Sequence, residues 1–193
     1  MQKYFKLDWT TEGKKNIFIE GFDMSEKVQK EGNAGISLSN EPSPDATLKN
    51  KKGIKADVLV GGSTFPVVSE SFKNLLTAFV DDTSFLEFIP INFENLNSAD
   101  KVPEYYLLNI LENIPAFDWD NSTYKRYPKD VFPDHQHLVR KIEKLVINHE
   151  PIGDRNIFRI VEKSVPVYIS QKLKEAMENA GLTGVEFQEV EVS

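Results

Sequence analysis

Three neighbouring side chains, Asp134, His135 and His137, have the residue types of a metal site. A His-x-His pair with a nearby carboxylate is able to bind zinc or iron, because alternate residues of a strand point the same way. The surrounding segment lacks a clear strand pattern, and the remaining histidine, His149, has no predicted position relative to the pair. We interpret the segment as a solvated loop and keep a metal-dependent hydrolase as an alternative function.

A second set of candidate groups lies in FDWDNS, where Asp118 and Asp120 flank Trp119. Paired carboxylates perform acid–base catalysis when their environments separate their pKa values. Asp and Asn residues also form turns by accepting hydrogen bonds from their own backbone. We interpret this segment as a turn that carries an amphipathic tryptophan.

Ser63, Ser69 and Ser170 are candidate nucleophiles, but none of them lies in a G-x-S-x-G elbow. Ser69 and Ser170 each precede a helical pattern, where a hydroxyl accepts a hydrogen bond from a free N–H of the first turn. After Ser69, apolar residues recur at the spacing of one helix face, at Phe72, Leu75, Leu76, Phe79 and Val80. These serines are therefore predicted to be helix caps.

The same two serines open an internal repeat that relates residues 65–91 to residues 165–190. A cap used twice is expected of a structural unit, whereas a catalytic serine used twice would be unusual. In both copies the closing strand carries apolar residues three apart, which predicts a β-bulge in each strand. The aligned pairs are Phe72 with Leu173, Lys73 with Lys174, Leu75 with Ala176, Leu76 with Met177, Phe88 with Phe187 and Ile91 with Val190.

The remaining segments favour strands around these helices. The polar stretch from Ser25 to Lys55 is predicted to be a long surface loop or a loop with a small hairpin. Asp130 to Lys141 is ambiguous, and a turn is predicted at Pro151 to Gly153. Strands are predicted in KYFKLDW, NIFIEGF, ADVLVGG, EYYLLNIL, LVIN and NIFRIV.

The predicted fold is therefore α+β, a mostly antiparallel sheet with two repeat-related helices packed on it. Residues 1–60 are expected to form an N-terminal β region with the long polar loop, and residues 61–193 a second domain of the α+β type.

Composition narrows the possible functions. The chain has 193 residues, no cysteine and a formal net charge of −7. The absence of cysteine excludes disulfides, thiolate zinc sites and cysteine nucleophiles. An acidic chain argues against general nucleic-acid binding and suits a basic partner. Without an apolar run of signal-peptide or membrane-span length, we expect a cytoplasmic protein with no membrane partner and no cofactor.

The order of several segments resembles a family of bacterial immunity proteins from polymorphic toxin systems, first catalogued as a domain of unknown function. The resemblance covers about Phe65 to Val190, and AGLTGVEF after the Ser-led helix is its most specific part. The segments that carry it are PVVSESFKNLL, FLEFIPI, EYYLLNIL, FDWDNS, LVINHEPIGDRNIFRI and VYISQKLKEAMENAGLTGVEF.

This resemblance implies a protein that protects its own cell by binding a cognate toxin. The family has no catalytic motif to transfer to this chain. We expect an interaction surface at Asp118, Trp119, Asp120, Tyr124 and Tyr127, because aromatic residues in loops commonly anchor protein interfaces. A regulatory module for a small ligand is a further alternative, which a deep apolar pocket with converging polar groups would support.

Overall fold

The computed structural model of the protein describes residues 2–9, 17–59, 61–97 and 100–193. Mainly antiparallel sheets are combined with a few helices, which confirms the predicted α+β class. The helices are α1 Glu26–Asn33, α2 Glu70–Phe79, α3 His149–Ile152 and α4 Gln171–Asn179, with a 3-10 turn at Pro133–His135. The strands are β1 Tyr4–Trp9, β2 Phe18–Asp23, β3 Asp45–Lys49, β4 Val58–Leu59, β5 Val67–Ser69, β6 Leu86–Pro90, β7 Asn92–Phe93, β8 Tyr105–Ile110, β9 Asn113–Ile114, β10 Thr123–Arg126, β11 Val139–Lys144, β12 Val146–Ile147, β13 Ile157–Ile160, β14 Lys163–Ser170 and β15 Val185–Val192.

The chain divides into two compact units. The central unit comprises Trp9–Leu111 and Glu175–Glu186, and the terminal unit comprises Met1–Asp8, Glu112–Lys174 and Phe187–Ser193. These units follow the packing of the chain, and the predicted division at residue 60 stays a prediction.

The central unit is built on a four-stranded sheet in the order β4-β5-β8-β6. Strand β8 is antiparallel to both of its neighbours, and all six of its residues are buried. Alternate side chains of a strand point to opposite faces. Tyr105 and Leu107 therefore join a core cluster with the sheet β2-β3-β7, whereas Tyr106 faces Lys73 of α2.

The terminal unit contains a six-stranded sheet in the order β12-β15-β1-β14-β13-β9. Strand β1, at the beginning of the chain, pairs antiparallel with β14, placing Tyr4 opposite Ser170. The Tyr4 ring packs edge-on against Phe158, and its hydroxyl lies 2.9 Å from His149 Nδ1 and donates to Gly153 O. The predicted turn after residue 150 is the short helix α3, which ends at Gly153 with φ +58°.

The internal repeat extends to the order of strands. The central order β4-β5-β8-β6 corresponds to β13-β14-β1-β15 in the terminal unit. Tyr105 lies opposite Ser69 in one sheet, as Tyr4 lies opposite Ser170 in the other. The strand equivalent to β8 is therefore supplied by the start of the chain, outside the repeat that the sequence shows.

Both serines cap their helices as predicted. Phe72 N–H donates to Ser69 Oγ, and Leu173 N–H donates to Ser170 Oγ, each at 3.2 Å. The hydroxyls in turn donate at 2.7 Å, Ser69 to Asp57 Oδ1 and Ser170 to Asn156 Oδ1. None of these four hydrogen bonds involves an imidazole.

The predicted bulges are wrong for the first copy. Strand β6 pairs with β8 without a shift in register from Leu86 to Pro90. Its sheet is covered on both faces, so Phe88 lies beneath Lys73 of α2 while Ile89 and Ile91 join the core cluster on the other face. The spacing of Phe88 and Ile91 therefore reflects a sheet that is covered on both faces, and not a bulge.

The bulge predicted for the second copy stays a prediction. Phe187 lies beneath Lys174 of α4, with the ammonium group 5.4 Å from the ring centroid. Val190 packs into the core of the terminal unit. The two apolar residues contact different groups, as Phe88 and Ile91 do.

The segment from Ser25 to Lys55 is not the predicted loop. It contains α1, which Ser25 caps, and β3, whose Ala46 and Leu48 are buried. Between them Leu38 is 1% exposed, and its N–H donates to the Glu87 carboxylate at 2.9 Å. A few well-placed apolar residues and one partly buried hydrogen bond therefore order a stretch whose average composition is polar.

Candidate interaction surface

A two-stranded antiparallel ribbon in the terminal unit contains Tyr124, and the other four residues selected from the sequence flank its first strand in the chain. It pairs β10 with β11 and shifts register twice, at Thr123/Tyr124 and at Lys125/Arg126. Register shifts bend and twist a ribbon. The stretch from Asp130 to Lys141, which is ambiguous in the sequence, contains the 3-10 turn and the first part of β11.

The turn before the ribbon is organised by Asp118. Its carboxylate accepts hydrogen bonds from the backbone N–H groups of Asp120 and Asn121 and from the Asn121 side chain, at 2.8 to 3.0 Å. The Asn121 side chain, followed by Ser193 and the Asn121 backbone, lowers the pKa of Asp118 to about 2. Asp118 thus forms the predicted turn, and Asp120 is exposed beside it.

Trp119 and Tyr124 meet at the base of the ribbon. Their ring centroids lie 5.2 Å apart, and both rings pack edge-on against Phe117 in the core. The Arg126 guanidinium carbon lies 4.2 Å from the Trp119 ring centroid, which is cation–π distance. Both predicted aromatic residues are half-buried, so each one supports the ribbon and presents an edge to solvent.

Tyr127 belongs to a second aromatic group at the tip of the ribbon. The centroids of Tyr127, Phe132 and His135 lie 5.5 Å from one another. The Gln136 side chain donates to the carbonyls of Tyr127 and Phe132, which closes the loop between the strands. Val131 projects from this tip with 60% of its surface exposed.

The structure therefore separates the five predicted residues into two adjoining groups. Asp118, Trp119, Asp120 and Tyr124 lie at the base of the ribbon, and Tyr127 lies at its tip. The sequence interpretation missed Arg126, Val131 and Phe132. An arginine between two tyrosines and an apolar pair between prolines were the available signals.

The tip also contains the proposed metal ligands of the alternative function. Asp134 and His135 lie in the 3-10 turn, and the His135 ring contacts two aromatic rings. Within residues 2–9, 17–59, 61–97 and 100–193, no three His, Cys, Asp or Glu side chains come together as a metal site. The hydrolase alternative gains no support from this geometry.

A groove of about 570 Å³ runs beside the ribbon, and its lining also lies within the terminal unit. Residues 140–145 form one wall and residues 188–191 another. Five cationic side chains line the groove: Lys6, Arg140, Lys141, Lys144 and Lys163. This lining is charged, unlike the apolar pocket expected of a small-ligand module.

The fold and the family comparison define the class of protein. It is an α+β protein that presents aromatic and arginine side chains on an exposed ribbon, and these residue types are enriched in protein interfaces. The chain belongs to the immunity protein family Imm11, whose family model matches residues 10–192. The match extends further toward the N-terminus than the resemblance that begins at Phe65. No curated protein matches the chain significantly, and no helix in the described part of the chain is long and apolar enough to span a membrane.

Proposed function

We propose that this protein is a cytoplasmic immunity protein of a polymorphic toxin system, which protects the producing cell by binding its cognate toxin directly. Membership of the Imm11 family, over nearly the whole chain, is the observation that carries the proposal. The toxin is the implied partner, and no nucleic acid, membrane or cofactor is required for this function.

We propose further that protection requires no catalysis by this chain. The candidate reactive groups have structural uses that support this view. Ser69 and Ser170 cap helices, Asp118 holds a turn, and the Ser63 hydroxyl accepts from Phe65 N–H at 3.0 Å. An inhibitor needs a rigid complementary surface rather than a reactive centre.

The surface we assign to toxin binding is the β10–β11 ribbon. Trp119 and Tyr124 would form its firm base, since they are held by Phe117 and Arg126. Binding energy in interfaces concentrates in aromatic and arginine side chains, surrounded by contacts that exclude water. Asp118 and Asp120 would lie at the polar rim, and Tyr127 and the tip would provide the apolar centre.

The direct test is co-expression with the toxin encoded by the neighbouring gene. Cells that produce the toxin should survive when this protein is present and die when it is absent. Purified toxin and immunity protein should also form a stable complex. The proposed function is rejected if the toxin kills cells that produce this protein as readily as cells that lack it.

A pair of double variants tests the assigned surface separately. Val131→Ala with Phe132→Ala should weaken toxin binding by about 10-fold or more, because apolar contacts at the tip are lost. Ile36→Ala with Ile54→Ala is the matched control, since these residues are 52% and 58% exposed elsewhere. If the tip variant binds as tightly as the control while cells stay protected, the ribbon assignment is wrong and the function stands.

A further inference from the structure

Two extended stretches of the chain line the groove beside the ribbon. Residues 140–145 and 188–191 are consecutive stretches that include parts of β11 and β15. At about 3.3 Å per residue, the longer wall extends for roughly 20 Å. A groove with a lining of this length has room for several residues of an extended peptide.

The carboxylates of this groove are already neutralised. Glu191 lies 2.8 Å from Lys144, and Glu189 lies 2.8 Å from Lys3. Glu143 lies within 3.7 Å of both Lys125 and Lys141. Lys6 is likewise satisfied, because its ammonium group donates to Asp8 at 2.6 Å.

Two cations of the lining remain without a carboxylate. Lys163 Nζ donates to the backbone carbonyl of Arg140 at 3.3 Å, which holds the two residues together. Among the described residues, neither Arg140 nor Lys163 forms an ion pair within 4.0 Å. Together they place two unneutralised positive charges in the groove.

This local charge contrasts with the rest of the chain. The terminal unit contains 13 Lys and Arg against 12 Asp and Glu, whereas the central unit contains 10 against 18. An acidic ligand would be repelled by most of the chain and attracted to this groove. Complementary charges of this kind select partners and accelerate their encounter.

We propose that the groove receives an extended acidic segment of the partner, with its carboxylates placed against Arg140 and Lys163. This inference rests on the proposed function, because the segment is assigned to the cognate toxin. Pro166, Tyr168 and Val190 line the same groove and would contact the aliphatic parts of the segment. The toxin would thus be held by apolar contacts at the ribbon tip and by ion pairs in the groove.

The inference is tested with the full chain and a fluorescein-labelled deca-glutamate peptide. Fluorescence anisotropy at low salt should show binding, and a deca-lysine peptide should bind without dependence on the groove residues. Arg140→Glu with Lys163→Glu should weaken deca-glutamate binding by about 10-fold or more. The effect should shrink as salt approaches about 0.15 M, where the screening length falls to about 8 Å.

A control variant with the same change in net charge distinguishes binding at the groove from a general effect of the protein's charge. Lys101→Glu with Lys172→Glu alters two exposed lysines outside the groove. We expect this control to change deca-glutamate affinity by less than about 3-fold. Circular dichroism melting curves verify that both double variants are folded.

The two proposals fail in different experiments. If deca-glutamate does not bind, or if both double variants weaken it equally, the groove inference is overturned even when cells are protected from the toxin. If cells are not protected, the immunity function fails whatever the peptide does. When both hold, the Arg140/Lys163 variant should also weaken the toxin complex more than the control variant does.

Discussion

The Ser170 hydroxyl donates to Asn156 Oδ1 at 2.7 Å while it accepts from the first turn of α4, and Ser69 makes the same two contacts with Asp57 and α2. One hydroxyl in each unit thus links a helix start to the residue just before the neighbouring strand, β4 in one unit and β13 in the other. Because both serines are buried, water cannot replace these bonds at low cost.

Removing either cap should destabilise the protein. Ser69→Ala and Ser170→Ala should each lower the free energy of unfolding by about 1–2 kcal/mol, since an N-cap and a buried hydrogen bond are lost together. Urea denaturation followed by circular dichroism measures this change. Ser164→Ala is the control, because Ser164 makes no side-chain hydrogen bond among the described residues. Unchanged midpoints for both cap variants would disprove the structural role.

Two glycines after α4 should differ in their tolerance of alanine. Gly181 and Gly184 both have positive φ, +69° and +79°, so either substitution costs about 1–2 kcal/mol in backbone strain. At Gly181 the added Cβ meets nothing within 4 Å, whereas at Gly184 it would approach Val58 O to 2.5 Å. Gly184→Ala should therefore lower the melting temperature clearly more than Gly181→Ala. Equal losses would show that the close approach to Val58 is absent in solution.

Glu162 should make stability depend on pH. Burial raises the pKa of its carboxyl, and one of its oxygens has no hydrogen-bond partner in the described part of the chain. A folded pKa above the unfolded value of about 4.3 means that stability is full below pH 4.3 and falls as the carboxyl ionises. Glu162→Gln should therefore stabilise the protein at pH 8 and have little effect near pH 4.

Chemical denaturation at the two pH values measures the difference. Glu41→Gln, at an exposed position, is the control. A Glu162→Gln variant whose advantage is the same at both pH values would contradict an elevated pKa.

Asp118 should titrate at unusually low pH. Its pKa of about 2 lies below the unfolded value of about 3.9, so its contribution to stability is present above pH 3.9 and is lost as pH falls toward 2. Asn121→Ala should raise this pKa, because the Asn121 side chain is the first cause of the shift. Carboxyl NMR of the folded protein measures the titration, with Asn179→Ala as the control. The turn assignment fails if Asn121→Ala leaves the titration midpoint unchanged.

The helices of the repeat could be predicted because their signals are local. A serine, an apolar stripe at helical spacing and a glycine after the last turn are sufficient for α4. Gly181 N–H donates to Glu178 O and Leu182 N–H to Met177 O, the pattern that a left-handed glycine permits. The aligned lysines and phenylalanines also meet as pairs in both units.

The same kind of reasoning failed where distant segments decide the outcome. The order of Ser25 to Lys55 depends on Leu38 reaching Glu87, and polar composition conceals that contact. The spacing of Phe88 and Ile91 indicated a bulge because a sequence does not show that both faces of β6 are covered.

The sequence alone therefore determined the α+β class, the repeat and its serine caps, because propensities and hydrogen bonds within a few residues fix them. Tertiary structure alone decided that β1 pairs with β14, that aromatic residues divide between the base and tip of the ribbon, and that Arg140 and Lys163 share a groove. These relationships join residues far apart in the chain, where the free energy of packing rather than local preference selects the partner.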